Sequence, residues 1–241
     1  MISSSLTDIG EIRELNQDYF FASSERVGSL PNLFIVADGM GGHNAGEYAS
    51  RRAVEVITDT ARQIDSGYPA DILRESISRA NTVIKEYGDA NPGMQGMGTT
   101  VVAAVAEGNH LYAANVGDSR LYVAGDCLVQ ITDDHSLVQE MVRSGEIAPQ
   151  EARNHPDKNI ITRAVGVLQY VDADIFEREL APGEKFILCS DGLTNMVDDE
   201  TILNVINGEG TLEEKAAILI RHANENGGRD NITVIIADPQ L

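Results

Sequence analysis

Apolar residues along this chain follow two rhythms. DYFFAS (18–23) and LFIVAD (33–38) are short apolar runs that read as strands, with Gly28 and Pro31 in the loop between them. From Ala45 to Ile64 the apolar positions Ala49, Ala53, Val56, Ile57 and Ile64 recur near the helical period. A second helix fits Ala70 to Tyr87, with Ile72, Leu73, Ile77, Ala80 and Ile84 on one face and Asp71 favouring its amino end. The Gly, Pro and Asn content of GDANPGMQGMG (88–98) marks a loop. Three close strands follow, TTVVAAVAE, HLYAANVG and SRLYVAGD, joined by GN (108–109) and GDS (117–119). Joints that short predict antiparallel hairpins. Thr132 to Thr162 is mostly polar, with short helical pieces around 136–144 and 149–153, and predicts a surface flap at about 136–165. DADIFERE (172–179), a Pro-Gly turn and KFILCS predict two more strands. Helices at about 199–206 and 212–224 precede a last strand, NITVIIAD.

Strict strand–helix–strand alternation is absent from this order. It predicts an α+β fold with antiparallel sheets covered by helix pairs, rather than a doubly wound parallel sheet. The 241 residues, 42% hydrophobic and 23% charged, suit one compact domain over 1–241. A net charge of −20 argues against nucleic acid or an anionic membrane as the partner. The amino terminus lacks a basic-then-apolar signal, and no apolar run approaches the roughly 18 residues of a membrane span. A cytoplasmic, reducing setting is the expectation. Cys127 and Cys189 match no zinc spacing, and Cys189, inside an apolar run, reads as a small buried hydrophobe rather than a nucleophile.

The candidate chemistry lies in four aspartates where apolar strands meet turns. Asp38 ends FIVAD and Asp191 ends FILCSD, each followed by glycine; Asp118 lies in NVGDSR and Asp230 in GGRDN. A strand end holds a side chain rigidly, and glycine lets a ligand approach the backbone. If the four converge they form an anionic, oxygen-only pocket suited to Mg²⁺ or Mn²⁺.

Competing motifs fare worse. In VADGMGGHNAGE, Asn44 stands where a dinucleotide fingerprint needs its third glycine, and Glu47 stands where a phosphate loop needs lysine. The loop instead leaves the Gly39 carbonyl open to a metal. His43, His110, His135, His155 and His222 form no HExxH pair and read as structural or surface residues. No GxSxG elbow surrounds Ser119 or Ser190, which read as turn hydrogen-bonders.

Taken together, RELNQD (13–18), FIVADGMGGH (34–43), MGTT (97–100), NVGDSRLY (115–122), TDDHSLV (132–138), ITRAVG, CSDGLTNM (189–196) and GGRDNITVI (227–235) resemble, in family order, the metal-dependent protein phosphatases of the protein phosphatase 2C type, in their compact bacterial branch. The resemblance implies a four-layer αββα sandwich, two central antiparallel β-sheets flanked by helix pairs. It implies hydrolysis of phosphoserine and phosphothreonine on proteins by water activated between two metals, Mn²⁺ or Mg²⁺, without a covalent phosphoenzyme. By position, Asp38 bridges both metals, the Gly39 carbonyl binds one, and Asp191 and Asp230 hold the other. Asp118 matches a third metal site present in bacterial members. Asp18 matches a residue that bonds metal waters, and Arg13 matches the phosphate-binding arginine.

The family's substrates imply phosphorylated proteins as partners, among them a bacterial Ser/Thr kinase and its targets, with a monomer expected. Three positions depart from the wider family: Met40 replaces a histidine proposed as general acid, Asn195 an acidic third-metal ligand, and Gln17 a glutamate. Two alternatives keep the same fold: an inactive binding module, and a phosphatase acting on anti-sigma-factor antagonists.

Overall fold

The computed structural model describes every residue except His43, Arg153, Asn154 and Leu241, and only the backbone of Pro149. In chain order the elements are β1 (Ile2–Asp8), β2 (Asp18–Ser23), β3 (Leu33–Met40), α1 (Ala45–Gln63), α2 (Pro69–Ala90), β4 (Gly98–Thr99), β5 (Val101–Glu107), β6 (His110–Val116), β7 (Arg120–Ala124), β8 (Leu128–Gln130), α3 (Leu137–Ser144), α4 (Pro149–Ala152), β9 (Asp174–Glu179), β10 (Lys185–Cys189), α5 (Asp191–Thr194), α6 (Asp199–Asn207), α7 (Leu212–Glu225) and β11 (Ile232–Asp238). One sheet runs β1-β11-β10-β7-β8. The other runs β2-β3-β5-β6-β9, with β4 pairing β3. The pairings are antiparallel.

Side-chain alternation stacks these sheets into four layers. Phe34 and Val36 of β3 meet Phe186 and Leu188 of β10 and Ile235 of β11 in the core between the sheets. The Phe34 and Phe186 rings touch edge to face at 5.4 Å. Leu33, Ile35 and Ala37 point the other way, onto Ile57 of α1 and Leu73 and Ile77 of α2. Ile187, Val234 and Ile236 face Ile202 of α6 and Leu219 of α7. Central strands are thus buried on both faces, which is why they read as unbroken apolar runs although the sheets are antiparallel. Cys189 lies on the helix-facing side and is buried, as expected.

The structure departs from the sequence reading in several places. β1 was not anticipated from ISSSLTD, because a serine-rich edge strand carries no apolar run; backbone pairing with β11 from Ile2↔Asp238 to Asp8↔Ile232 defines it. β8, three residues long, is likewise defined by its pairing with β7 from Ala124↔Leu128 to Tyr122↔Gln130. GN (108–109) is a hairpin, but GDS (117–119) is not: β6 pairs β5 and β9, whereas β7 pairs β10 and β8 in the opposite sheet. Gly117 makes this sheet-to-sheet corner at φ 109°, where an added Cβ would lie 2.6 Å from the Thr100 side chain. His135 closes the corner, accepting from the Gly117 N–H at Nδ1 (3.0 Å) and donating its own N–H to the Gly117 carbonyl (2.9 Å). Finally, β3 continues two residues past Asp38, since Gly39 and Met40 pair with β4, and Asp191 opens helix α5 rather than ending β10.

Candidate active site and metal centre

Both sheets deliver carboxylates to one end of the sandwich. Asp18 and Asp38 are direct neighbours across β2 and β3. Asp191 and Asp230 come from the β10 and β11 side, and Asp118 from the corner between the sheets. A cleft of about 290 Å³ is lined by Arg13, Asp38, Gly39, Asp118, Asp191 and Asp230, among others. A second cavity of about 260 Å³ adjoins it through Asp118 and Asp191. Each residue expected at the site therefore borders this cleft, except Asp18, which lies buried behind it.

The positions are held by backbone and hydroxyl contacts. Thr100 Oγ1 accepts from the Asp38 N–H at 2.9 Å and lies 2.7 Å from Ser119 Oγ. The Asp38 carbonyl accepts from Thr99 Oγ1 (2.9 Å) and the Thr100 N–H (2.8 Å). The Gly39 N–H donates to the Gln17 carbonyl at 3.0 Å. A Cβ at Gly39 would lie 2.1 Å from the Gly46 carbonyl oxygen, so glycine there is required by strand–helix contact. Ser190 Oγ and Thr233 Oγ1 each donate to Asp18 Oδ2 at 2.7 Å. Thr7 Oγ1 lies 2.8 Å from Thr233 Oγ1 and accepts from Asn16 Nδ2 at 2.9 Å, which extends the chain to the surface. Ser119 and Ser190, read as turn residues, instead bond across elements far apart in sequence, because the closed sandwich brings those turns face to face.

The electrostatics register the convergence. Burial, then the charges of Asp18, Asp191, Asp118 and Asp230, pushes the half-buried Asp38 well above the ordinary carboxylate range. Burial raises Asp118 likewise, followed by Asp191 and Asp134. Asp191 is raised to about 6, by burial first and then by the charge of Asp230, against the opposing charges of Arg120 and Lys158. Asp18 is raised to about 7 by burial, against its bonds from Ser190 and Thr233.

Side chains alone do not close a cage: among the described residues no three Asp, Glu, His or Cys groups form one. Two oxygens are turned to neighbours instead, Asp230 Oδ2 to Arg13 (2.8 Å) and Asp191 Oδ2 to Asn195 Nδ2 (2.8 Å). Yet Asp18 Oδ1 and Asp191 Oδ1 are buried without a hydrogen-bond partner among the described residues. Buried carboxylates that repel one another and leave oxygens unpaired are the arrangement that a hard divalent cation stabilises. On that chemistry the residues fit such an ion.

Two side chains at the site escaped the sequence reading. Asn231 accepts from the Gln17 N–H at Oδ1 (2.8 Å) and donates from Nδ2 to the Ile9 and Leu15 carbonyls (both 2.9 Å), tying the segment that carries Arg13 to the start of β11. It lies inside GGRDNITVI (227–235), where a polar residue at the foot of an apolar strand is the available signal. Lys158, from the flap, donates to Asn195 Oδ1 at 2.9 Å. Nothing in the spacing marked it. Among the described histidines none lines the cleft; His135 is a buried corner residue whose Nε2 lies 3.0 Å from Asp174. His43 lies outside the described residues.

An oxygen-lined, acid-rich cleft at the end of a double antiparallel sheet defines a class of metal-dependent hydrolase. Residues 12–232 match the protein phosphatase 2C family, and this chain belongs to it. The chain is 41% identical over 242 residues to the serine/threonine phosphatase stp of Listeria innocua, covering 98% of this chain and 94% of that protein. It is similar to the crystal structure of the Mycobacterium tuberculosis serine/threonine phosphatase PstP/Ppp, with TM-score 0.90 and 36% identity over 100% of this chain and 99% of that one. The catalytic domain of PstP in complex with two manganese ions superposes with TM-score 0.86 at 35% identity, covering 98% and 97% of the two chains.

Proposed function

We propose that this protein is a metal-dependent protein serine/threonine phosphatase whose site is built from Arg13, Asp18, Asp38, Gly39, Asp118, Asp191 and Asp230. The observation that carries this reading is the meeting of carboxylates from both sheets in one cleft, with two buried oxygens left unpaired. Asp38, the Gly39 carbonyl, Asp191 and Asp230 would hold two Mn²⁺ or Mg²⁺ ions, and Asp118 a third. When bound, such ions lower the pKa of water at the site and offset the charge of the phosphate.

The remaining roles belong to the chain's own side chains. Arg13 is half-exposed at the mouth of the cleft, and its planar fork is suited to two phosphate oxygens. Its contact with Asp230 keeps it there before substrate arrives. Ser190 and Thr233 fix Asp18 so that its free Oδ1 can accept a hydrogen bond. A covalent phosphoenzyme has no support in the cleft: Cys189 faces the helices, burial pushes its thiol up to about 12, and the hydroxyls of Ser119 and Ser190 are engaged. Met40 borders the cleft without a proton to give, and water would supply the proton that the leaving oxygen needs.

Substrates are phosphorylated proteins. A Ser/Thr kinase and its targets are the partners we favour, with a monomeric, cytoplasmic enzyme formed by a single domain over 1–241. Among the described residues no helix is long and apolar enough to cross a membrane. The flap at about 136–165 borders the cleft through Asn159 and Ile161 and suits a part in substrate choice. The test is release of phosphate from a phosphothreonine peptide with Mn²⁺, Mg²⁺ or chelator, by the parent and by Asp38→Asn. Turnover is expected only with metal and only in the parent. Equal turnover in a metal-stripped sample would refute the reading.

A further inference from the structure

Beside the catalytic cleft lies a smaller hollow of about 150 Å³, lined in part by Arg13, Lys158, Asn159, Asn195, Arg229 and Asp230. It shares Arg13, Asn159 and Asp230 with the cleft, so the two are neighbours across one wall. Three cations around one small hollow stand out in a chain with 18 basic and 38 acidic residues. Elsewhere most basic side chains are spent on acids, as Arg62 on Asp59, Arg74 on Asp71, Arg120 on Asp134 and Arg178 on Glu184, while Lys215 bonds the Ile206 carbonyl. Here Arg229 is exposed and has no hydrogen-bond or ion-pair partner among the described residues. Lys158 bonds a neutral amide oxygen, that of Asn195, and no carboxylate among the described residues. An unpaired surface arginine alone would be an ordinary solvated side chain. Two cations in no direct ion pair among the described residues, facing one concavity that opens beside the reacting centre, make a receptor for an anion.

We propose that this hollow is a specificity subsite that reads an anionic side chain, carboxylate or phosphate, close in sequence to the phosphorylated residue of a protein substrate. The inference rests on the phosphatase reading. With the phosphate at Arg13 in the cleft, an extended substrate advancing roughly 3.5 Å per residue brings a side chain within about three positions into the adjoining hollow. The device has a physical purpose. A protein of net charge −20 repels acidic substrates, and a local pair of cations lets it select an acidic segment by position rather than reject it by overall charge. Because Arg229 is exposed, salt should weaken the selection.

The experiment compares kcat/KM for phosphothreonine peptides that differ at one flanking position, scanned on both sides, carrying alanine, glutamate or phosphotyrosine. The parent is expected to prefer an anionic peptide over its alanine counterpart by about tenfold at low salt, the scale of one charge-assisted contact. Arg229→Ala should bring that ratio close to one, and Arg229→Glu should invert it. Because the readout is a ratio within one preparation, a partly folded variant does not distort it. Preference for glutamate identifies a carboxylate reader and preference confined to phosphotyrosine a phosphate reader; both support the subsite. Absence of any preference in the parent, or a preference unchanged in both Arg229 variants, overturns it. Failure to hydrolyse every phosphopeptide would instead overturn the phosphatase reading itself.

Discussion

Asn231 is the sharpest single test of how the site is assembled. Its side chain is 3% exposed and makes three hydrogen bonds to the segment between β1 and β2: one accepted from the Gln17 N–H and two donated to the Ile9 and Leu15 carbonyls. That segment carries Arg13. Asn231→Ala removes all three bonds, and at about 1 kcal/mol net for each the loss is about 3 kcal/mol. In a chain of this size that corresponds to a fall in Tm of about 6–12 °C. Freeing the segment also unfixes Arg13, so kcat/KM for a phosphopeptide should drop about tenfold even well below the new Tm. Arg13→Ala provides the contrast: its ion pair with Asp230 is half-exposed, so catalysis should suffer while Tm barely moves. Asn231→Asp separates the two halves of the argument. The carboxylate can still accept from Gln17 but faces two carbonyl oxygens that need donors, so it should be no more stable than the alanine variant. Thermal unfolding with steady-state kinetics on the same samples decides the matter. An Asn231→Ala protein melting within about 2 °C of the parent, with unchanged kcat/KM, would mean that Asn231 does not hold the Arg13 segment in place.

Asp18, Asp38, Asp118 and Asp191 have folded-state pKa values raised above the unfolded value near 3.8, so the folded protein binds more protons across that interval and loses stability as pH rises. Metal-free protein should therefore lose stability between about pH 4 and the Asp18 value of about 7, and Mn²⁺ should suppress the loss; a flat metal-free melting profile over that range would contradict it. Gly192→Ala would set a Cβ 2.0 Å from the Asn231 carbonyl oxygen, forcing Asp191 and Asp230 apart, so turnover should collapse with Mn²⁺ present; activity near the parent's would show that the contact relaxes freely. Native protein should react with a thiol reagent at Cys127 alone, and at Cys189 only after denaturation, because Cys127 is exposed and Cys189 buried; modification of both in the native state would mean that β10 opens.

Much of the fold was legible because its strands are buried on both faces and its long helices on one. LFIVAD, VVAAVAE and ITVIIAD could be little else than central strands, and α1 and α2 followed their apolar stripes to within a few residues. The errors fall where pairing, not side-chain pattern, defines the element. β1 is held by β11 through backbone bonds that leave no mark on ISSSLTD. The GDS joint looks the same in sequence whether the chain turns back beside its neighbour or crosses to the other sheet. Gly117 and His135 settle that locally, but their contact exists only once residues 18 apart meet.

The site divides along the same line. Asp38, Asp118, Asp191 and Asp230 were visible because each interrupts or borders an apolar run, and carboxylates in such places are rarely there for packing alone. Their spacing could not say that they face one cleft, nor that Asp18 would sit behind it between Ser190 and Thr233. Asn231, Lys158 and Arg229 owe their interest to neighbours from distant parts of the chain. Residue type and periodicity are local properties, and they specified the chemistry and the elements of this protein. Convergence depends on how two sheets stack and where one chain crosses between them, and that is set by the packing of the whole core.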